Sequence, residues 1–158
     1  MADGREFLRH VLATLAYRGS KAVRGVPAGF ADYRVGPGTR TPAEILAHVG
    51  DLLDWALAMA RGGEAWHDSP PLAWDDEVVR FHRALVALDD FLAGEAPLRA
   101  GADRLLQGPL ADALTHVGQL ALLRRLAGTP LRSENYARAE IVPGRVGPEQ
   151  APPVREFD

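Results

Sequence analysis

Two side chains that commonly ligate metal ions lie four residues apart in the stretch 108–128, GPLADALTHVGQLALLRRLAG. If this stretch is one helix, Asp112 and His116 share a face, and Gln119 lies on that face about one turn further on. A buried carboxylate or imidazole is costly unless it is paired, hydrogen-bonded or bound to metal. Because Asp and His both ligate zinc, nickel and ferrous iron, the spacing predicts either part of a metal site or an Asp–His hydrogen bond between adjacent turns.

His48 is the third candidate ligand, and it lies within the apolar stripe of another predicted helix. The start of this helix is well marked, because Thr41 suits the N-cap, Pro42 suits the first turn and Glu44 completes a capping box. A histidine within such a stripe is either a hydrogen-bonded core residue or a ligand. The position of His48 therefore leaves both interpretations open.

Three further polar residues lie on this helix or in the loop that follows it. Asp51 and Asp54 fall off the apolar stripe, so we expect both to be solvated. His67 follows in a Pro-containing loop, where it is expected to be exposed, with a further ligand as the alternative.

Four amphipathic segments predict an all-α fold, a four-helix bundle. The predicted helices cover residues 3–24 with Asp3 as a possible cap, 41–61 ending before Gly62, 75–93, and 108–128 with Pro109 in the first turn and Gly128 at the end. Residues 1–130 are expected to form one metal-binding domain, followed by a Pro-rich, mostly irregular tail over 131–158. In such a bundle His48 can meet Asp112 and His116 across the core.

Composition excludes several classes of protein. The net charge is −3, and the basic residues are scattered arginines apart from Lys21, so no nucleic-acid partner is expected. No apolar run is long enough for a bilayer and MADGREFLRH lacks a secretory core, so a cytoplasmic protein without membrane contact is expected. The chain contains no cysteine, so any thiol chemistry would need an external thiol.

Two segments, RTPAEILAHVGDLL at 40–53 and ALTHVGQLALLRRLAG at 113–128, resemble the DinB/YfiT-like superfamily of metal-binding four-helix bundles. The resemblance covers most of residues 5–130. It implies a divalent metal held by three histidines, two of which match His48 and His116, whereas Asp112 stands in place of the third. Two histidines and one carboxylate slightly favour harder or redox-active metals, with zinc, nickel and iron all open.

The resemblance also implies metal-dependent transferases that use low-molecular-weight thiols such as bacillithiol or mycothiol, and a thiol-dependent isomerase. The first hypothesis is therefore a thiol-dependent transferase or a hydrolase, acting on a small molecule with one divalent ion held by His48, Asp112 and His116. Gln119 would orient a ligand or serve as a core hydrogen-bond partner. The alternatives are a non-catalytic metal- or small-molecule-binding stress-response module, and a purely structural Asp–His pair without metal.

The tail after Gly128 carries many apolar residues for a segment without a core of its own. They are Leu131, Tyr136, Ile141, Val142, Val146, Val154 and Phe157. Because exposed apolar surface is unfavourable in water, we expect the tail to be ordered and packed on the bundle or on a twofold partner. Dimers occur in the resembling family, so a homodimer is expected.

Overall fold

The computed structural model describes residues 4–157, and most of its regular structure is helical. The helices are α1 Arg5–Val23, α2 Pro42–Ala60, α3 Trp74–Ala93, the short α4 Ala102–Leu105, and α5 Ala111–Leu126. Helices α3 and α5 each pack against both α1 and α2, so the four long helices share one core. Within residues 4–157, no helix combines the length and the apolar character needed to cross a bilayer.

Leucines fill most of the core, together with two phenylalanines. The largest fully buried side chains are Leu8, Leu12, Leu15, Phe30, Leu46, Leu53, Phe81, Leu85, Leu88, Leu92, Leu105 and Leu110. Four of them lie on α3, at the three-to-four spacing of a core-facing helix. The amphipathic pattern therefore predicted the four long helices.

The start of α2 confirms the predicted capping box. The backbone N–H of Glu44 donates to Thr41 Oγ1 at 3.2 Å, and the backbone N–H of Thr41 donates to Glu44 Oε2 at 2.7 Å. Pro42 occupies the first turn, where its missing N–H leaves no bond unmade. The chain leaves α2 through Gly62, whose φ of +88° favours glycine. These signals fix the ends of the helix that carries His48.

The start of the last helix differs from the prediction. Helical backbone begins at α4, and a π-helical segment, Leu106–Leu110, joins α4 directly to α5. Pro109 lies inside that segment rather than in a first turn. A proline lacks the N–H for an ordinary helical bond and its ring crowds the carbonyl four residues earlier, and a wider turn relieves that crowding. At the other end Gly128 is left-handed as predicted, with φ +82°. For α1, the possible cap Asp3 lies outside the described residues.

A two-stranded antiparallel sheet, which was not predicted, ties the tail together. Strand β1, Ser133–Glu134, pairs with β2, Glu156–Phe157, and a short 3₁₀ turn lies after β1 at Tyr136–Arg138. Glu134 is buried, and it accepts hydrogen bonds from Tyr17 Oη at 2.5 Å and from Lys21 Nζ at 2.7 Å. The tail therefore contacts α1 through a buried ion pair.

Candidate metal centre

His48 of α2 and two residues of α5, Asp112 and His116, lie together where these helices pack. His116 Nε2 lies 3.3 Å from Asp112 Oδ1, and His48 Nε2 lies 3.7 Å from Asp112 Oδ2. The two imidazole rings meet edge to face with centroids 4.7 Å apart. One potential ligand atom from each residue lies within 4.8 Å of the other two. The structure thus brings together the three residues selected from the sequence.

The spacing of these atoms fits a small divalent ion. Two ligands bound tetrahedrally at about 2.0–2.1 Å from zinc stand about 3.3 Å apart. The separation of His116 Nε2 from Asp112 Oδ1 has this value, and the separation of His48 Nε2 from the other oxygen, Asp112 Oδ2, is 0.4 Å longer at 3.7 Å. Two imidazole nitrogens and a carboxylate suit zinc, nickel or ferrous iron. The residues present therefore fit the metal that the resemblance implies.

Gln119 fixes the proton on one of the two imidazoles. Its Oε1 lies 2.8 Å from His116 Nδ1, and an amide oxygen only accepts hydrogen bonds, so Nδ1–H is the donor. In the neutral ring, Nε2 then presents a lone pair toward Asp112. Imidazole ligands in metal sites commonly have their second nitrogen held in this way. The geometry shows Gln119 hydrogen-bonded to the His116 ring, and its role in orienting a metal ligand stays a prediction.

The surroundings of His48 favour its neutral form. Burial lowers the pKa of His48 below its ordinary value, and the charge of Arg40 acts in the same direction, as that of a protonated His116 would, whereas Asp112 opposes them. The Trp66 ring packs edge-on against the imidazole, with centroids 5.7 Å apart. A neutral imidazole is the form that ligates metal, so the environment of His48 favours the ligating state near neutral pH.

Asp112 lies on the solvent-exposed side of the cluster and borders a cleft. Its side chain is 48% exposed, and it lines a cleft of about 720 Å³ together with the apolar side chains of Trp55, Met59 and Trp66. Cleft volumes of roughly 300–1,000 Å³ are typical of small-molecule sites. The cluster thus combines a polar centre with an apolar cleft that a substrate can enter.

A second cluster beside α2 corrects one prediction. Asp51 was expected to be solvated, but its side chain is only 2% exposed, and it accepts hydrogen bonds from Ser69 N at 2.8 Å, Ser69 Oγ at 2.7 Å and Arg80 Nη2 at 2.5 Å. Arg80 also reaches Asp54 at 3.0 Å. His67 is half exposed, as expected, yet its Nδ1 lies 2.9 Å from Asp51 Oδ1.

These atoms also stand close enough together to hold an ion. Here, however, the guanidinium of Arg80 already supplies the positive charge between the two carboxylates. Burial by itself would raise the pKa of Asp51, but the hydrogen bonds from Ser69 and the charge of Arg80 outweigh it, and the pKa falls below its ordinary value. The second cluster is therefore a complete ion-pair network, which also pins the loop carrying Trp66.

Sequence reasoning missed this network because its partners are far apart. Asp51 and Arg80 are separated by 29 residues, and no helical period relates them. The one local sequence feature is that Asp51 lies one turn after His48. The structure shows that this side of α2 meets α3, but nothing near Asp51 in the sequence names Arg80 as its partner.

Comparisons of this chain with protein-family models, with curated proteins and with solved structures each find no match.

Proposed function

We propose that this chain is a metal-dependent enzyme of the DinB-like type, which holds one divalent ion with His48, Asp112 and His116. The observation that carries the proposal is the pair of atoms His116 Nε2 and Asp112 Oδ1, which face each other at 3.3 Å. With Nδ1–H donating to Gln119, a neutral His116 directs a lone pair at a carboxylate oxygen. Two acceptors in that arrangement repel each other unless a cation lies between them.

Either a proton or a metal ion can be that cation. A proton would make His116 an imidazolium paired with Asp112, which is the structural alternative. Two features support the metal: a second imidazole, His48, brings its Nε2 to 3.7 Å from the other oxygen of Asp112, and burial lowers the pKa of that imidazole, which favours its neutral form. A proton needs one acceptor pair, whereas three convergent donors match the number of protein ligands in catalytic zinc sites.

The surrounding residues support turnover of a small molecule. A divalent ion with three protein ligands would supply Lewis acidity, which stabilises the anionic form of a thiol or water nucleophile. Trp55 and Trp66, whose rings meet edge to face at 5.7 Å, would hold the apolar part of a substrate and keep bulk water from it. The chain has no cysteine, so a transferred thiol would come from a small molecule. Transfer to an electrophile and hydrolysis are the two reactions that this arrangement serves.

Metal analysis of protein purified without an immobilised-nickel step tests the site. After chelation and dialysis, zinc, nickel and ferrous iron are each titrated into wild type, His48→Ala and Asp112→Asn. The matched control is His67→Ala, which removes a half-exposed histidine from the second cluster. We expect about one ion per chain in wild type and in the control, and at least tenfold weaker binding in the two site variants. A His48→Ala protein that binds as tightly as wild type would remove His48 from the site.

Activity is then measured with thiol-plus-electrophile pairs and with simple esters. Turnover is expected only in the metal-loaded protein, and it should fall with metal affinity in the same variants. Intact metal binding without turnover of any pair would favour a binding module instead.

A further inference from the structure

Another cleft, of about 390 Å³, lies between α5 and the chain segment that precedes α2. Its walls are mostly apolar. Three of the lining side chains, Val35, Leu122 and Leu126, are large, hydrophobic and about half exposed, at 51%, 54% and 51%. His116 of the candidate metal centre also lines this cleft. The cleft therefore leads from an apolar surface to the chemistry-bearing cluster.

Arg40 gives this cleft its charge. It is the one Arg, Lys, Asp or Glu among the lining residues that the structure describes, and across residues 4–157 no hydrogen bond or ion pair involves its guanidinium. Arg34, a few residues earlier, differs because it reaches Glu44 at 3.4 Å. Arg40 is thus the one charged side chain that lines this mostly apolar cleft.

We propose that this cleft binds a small carboxylate with an aliphatic body, such as a medium-chain fatty acid. The guanidinium of Arg40 offers two parallel N–H donors that match a carboxylate. The aliphatic body covers Val35, Leu122 and Leu126, removing exposed apolar surface from water. The volume lies within the range of small-molecule clefts, which is the scale of a single short chain.

Two neighbouring clefts differ from this one in their charged lining residues. A cleft that shares Arg40 is lined by Arg34 but also by Glu44, Asp51 and Asp68, so its charges are mixed. The cleft at Trp66 contains Glu64 and Asp112 and no Arg or Lys. Compared with these two, the cleft lined by Val35, Leu122 and Leu126 has Arg40 as its one charged side chain, and this combination suits an anionic amphiphile.

The cleft also places its occupant beside the candidate metal centre. Arg40 lies close enough to His48 for its charge to influence that imidazole, and His116 lines the cleft itself. A bound carboxylate would therefore stand next to His48 and His116. As a substrate site the cleft rests on the function proposed above, whereas binding itself does not require metal.

Calorimetric titration of metal-free protein tests the proposal with three probes of equal chain length: octanoate, octanol and octylamine. We expect octanoate to bind at one site, and octanol and octylamine to bind at least about fivefold more weakly. Arg40→Gln should lose that preference. The matched control Arg34→Gln removes a positive charge outside this cleft and should bind octanoate as wild type does. Equal affinity for the three probes, or unchanged binding in Arg40→Gln, would overturn the proposal.

The apolar wall is tested with Leu122→Ser. Its control is Val79→Ser, because Val79 is 53% exposed on α3 and does not line the cleft. Octanoate affinity should fall in the first variant and stay unchanged in the second. Sedimentation distinguishes the other occupant, a second copy of the chain: a wild-type dimer that becomes monomeric in Leu122→Ser would make this wall a subunit contact and overturn the proposal. Metal affinity is measured in a separate titration. A chain that binds octanoate but no metal would contradict the proposed function and leave the carboxylate site standing.

Discussion

Two clusters of histidine and carboxylate flank α2, and they differ in what supplies the positive charge. In the first, Asp112 faces the imidazole nitrogens of His48 and His116 at 3.7 Å and 3.3 Å. In the second, Asp51 and Asp54 share the guanidinium of Arg80, at 2.5 Å and 3.0 Å. The same residue types therefore form an ion-pair network in one place and a candidate metal centre in the other.

Burial separates the two carboxylates as well. Asp51 is 2% exposed and its oxygens accept three hydrogen bonds from Ser69 and Arg80, so its charge is compensated within the chain. Asp112 is 48% exposed and borders an open cleft. A buried charge destabilises the folded chain unless it is paired, whereas an exposed charge remains accessible to a ligand. Closeness of His and Asp side chains alone is thus a weaker indication of a metal site than closeness combined with a carboxylate that no Arg or Lys side chain neutralises.

The largest expected effect is on stability. Asp51→Asn removes the nearest carboxylate partner of Arg80 and should lower the free energy of unfolding by about 2–3 kcal/mol, because a mostly buried cation is left with the partly exposed Asp54 at 3.0 Å and with Glu77 at 3.9 Å. Asp112→Asn changes an exposed side chain and should stay within about 0.5 kcal/mol of wild type in metal-free buffer. Urea unfolding of both variants measures the difference. Equal losses would show that the two clusters are not distinct.

Metal should narrow the difference in stability between the two variants. A ligand that binds only the folded state at ten times its Kd adds about 1.4 kcal/mol, or roughly 3–6 °C in Tm for a chain of this size. We expect this rise in wild type and in Asp51→Asn, and a rise of at most about 0.4 kcal/mol in Asp112→Asn, because its metal binding should be at least tenfold weaker. Thermal scans with and without zinc check the expectation. A rise in Asp112→Asn that matches wild type would place the ion elsewhere.

A smaller effect concerns acid. Because the pKa of Asp51 is held below its ordinary value in the folded chain, its stabilising contribution is present above the unfolded pKa of about 4. That contribution is lost as the pH falls through the folded value. Stability of wild type should therefore fall more steeply below pH 4 than that of Asp51→Asn, as measured by urea unfolding between pH 3 and pH 6. Parallel profiles would mean that the network does not depress this pKa.

Local signals predicted the parts of this molecule that local physics decides. The capping box at Thr41 and the left-handed Gly128 fixed two helix ends, and helical spacing placed Asp112 beside His116. The meeting of α2 with α5 followed from two inward polar positions. Helical periodicity and the cost of burying a charge are enough to predict these features.

The remaining features depend on tertiary contacts or on segments too short to show a pattern. Arg80 reaches Asp51 from another helix, and nothing within either helix indicates the pairing. Strands β1 and β2 have two residues each, too few for an alternating pattern to appear. Pro109 normally indicates a helix start, and only the path of the chain shows that a π-helical turn includes it.

Lys21 is the single lysine of this chain, and its ammonium is enclosed by carboxylates that the tail supplies, Glu134 and Glu156. It is 8% exposed while those contacts hold. An amine-directed acylating reagent attacks the free base, so both its enclosure and its raised pKa protect this side chain while the tail stays in place. The extent of acylation at Lys21, resolved from the α-amino group by peptide mass, therefore reports how often the C-terminal segment detaches from α1.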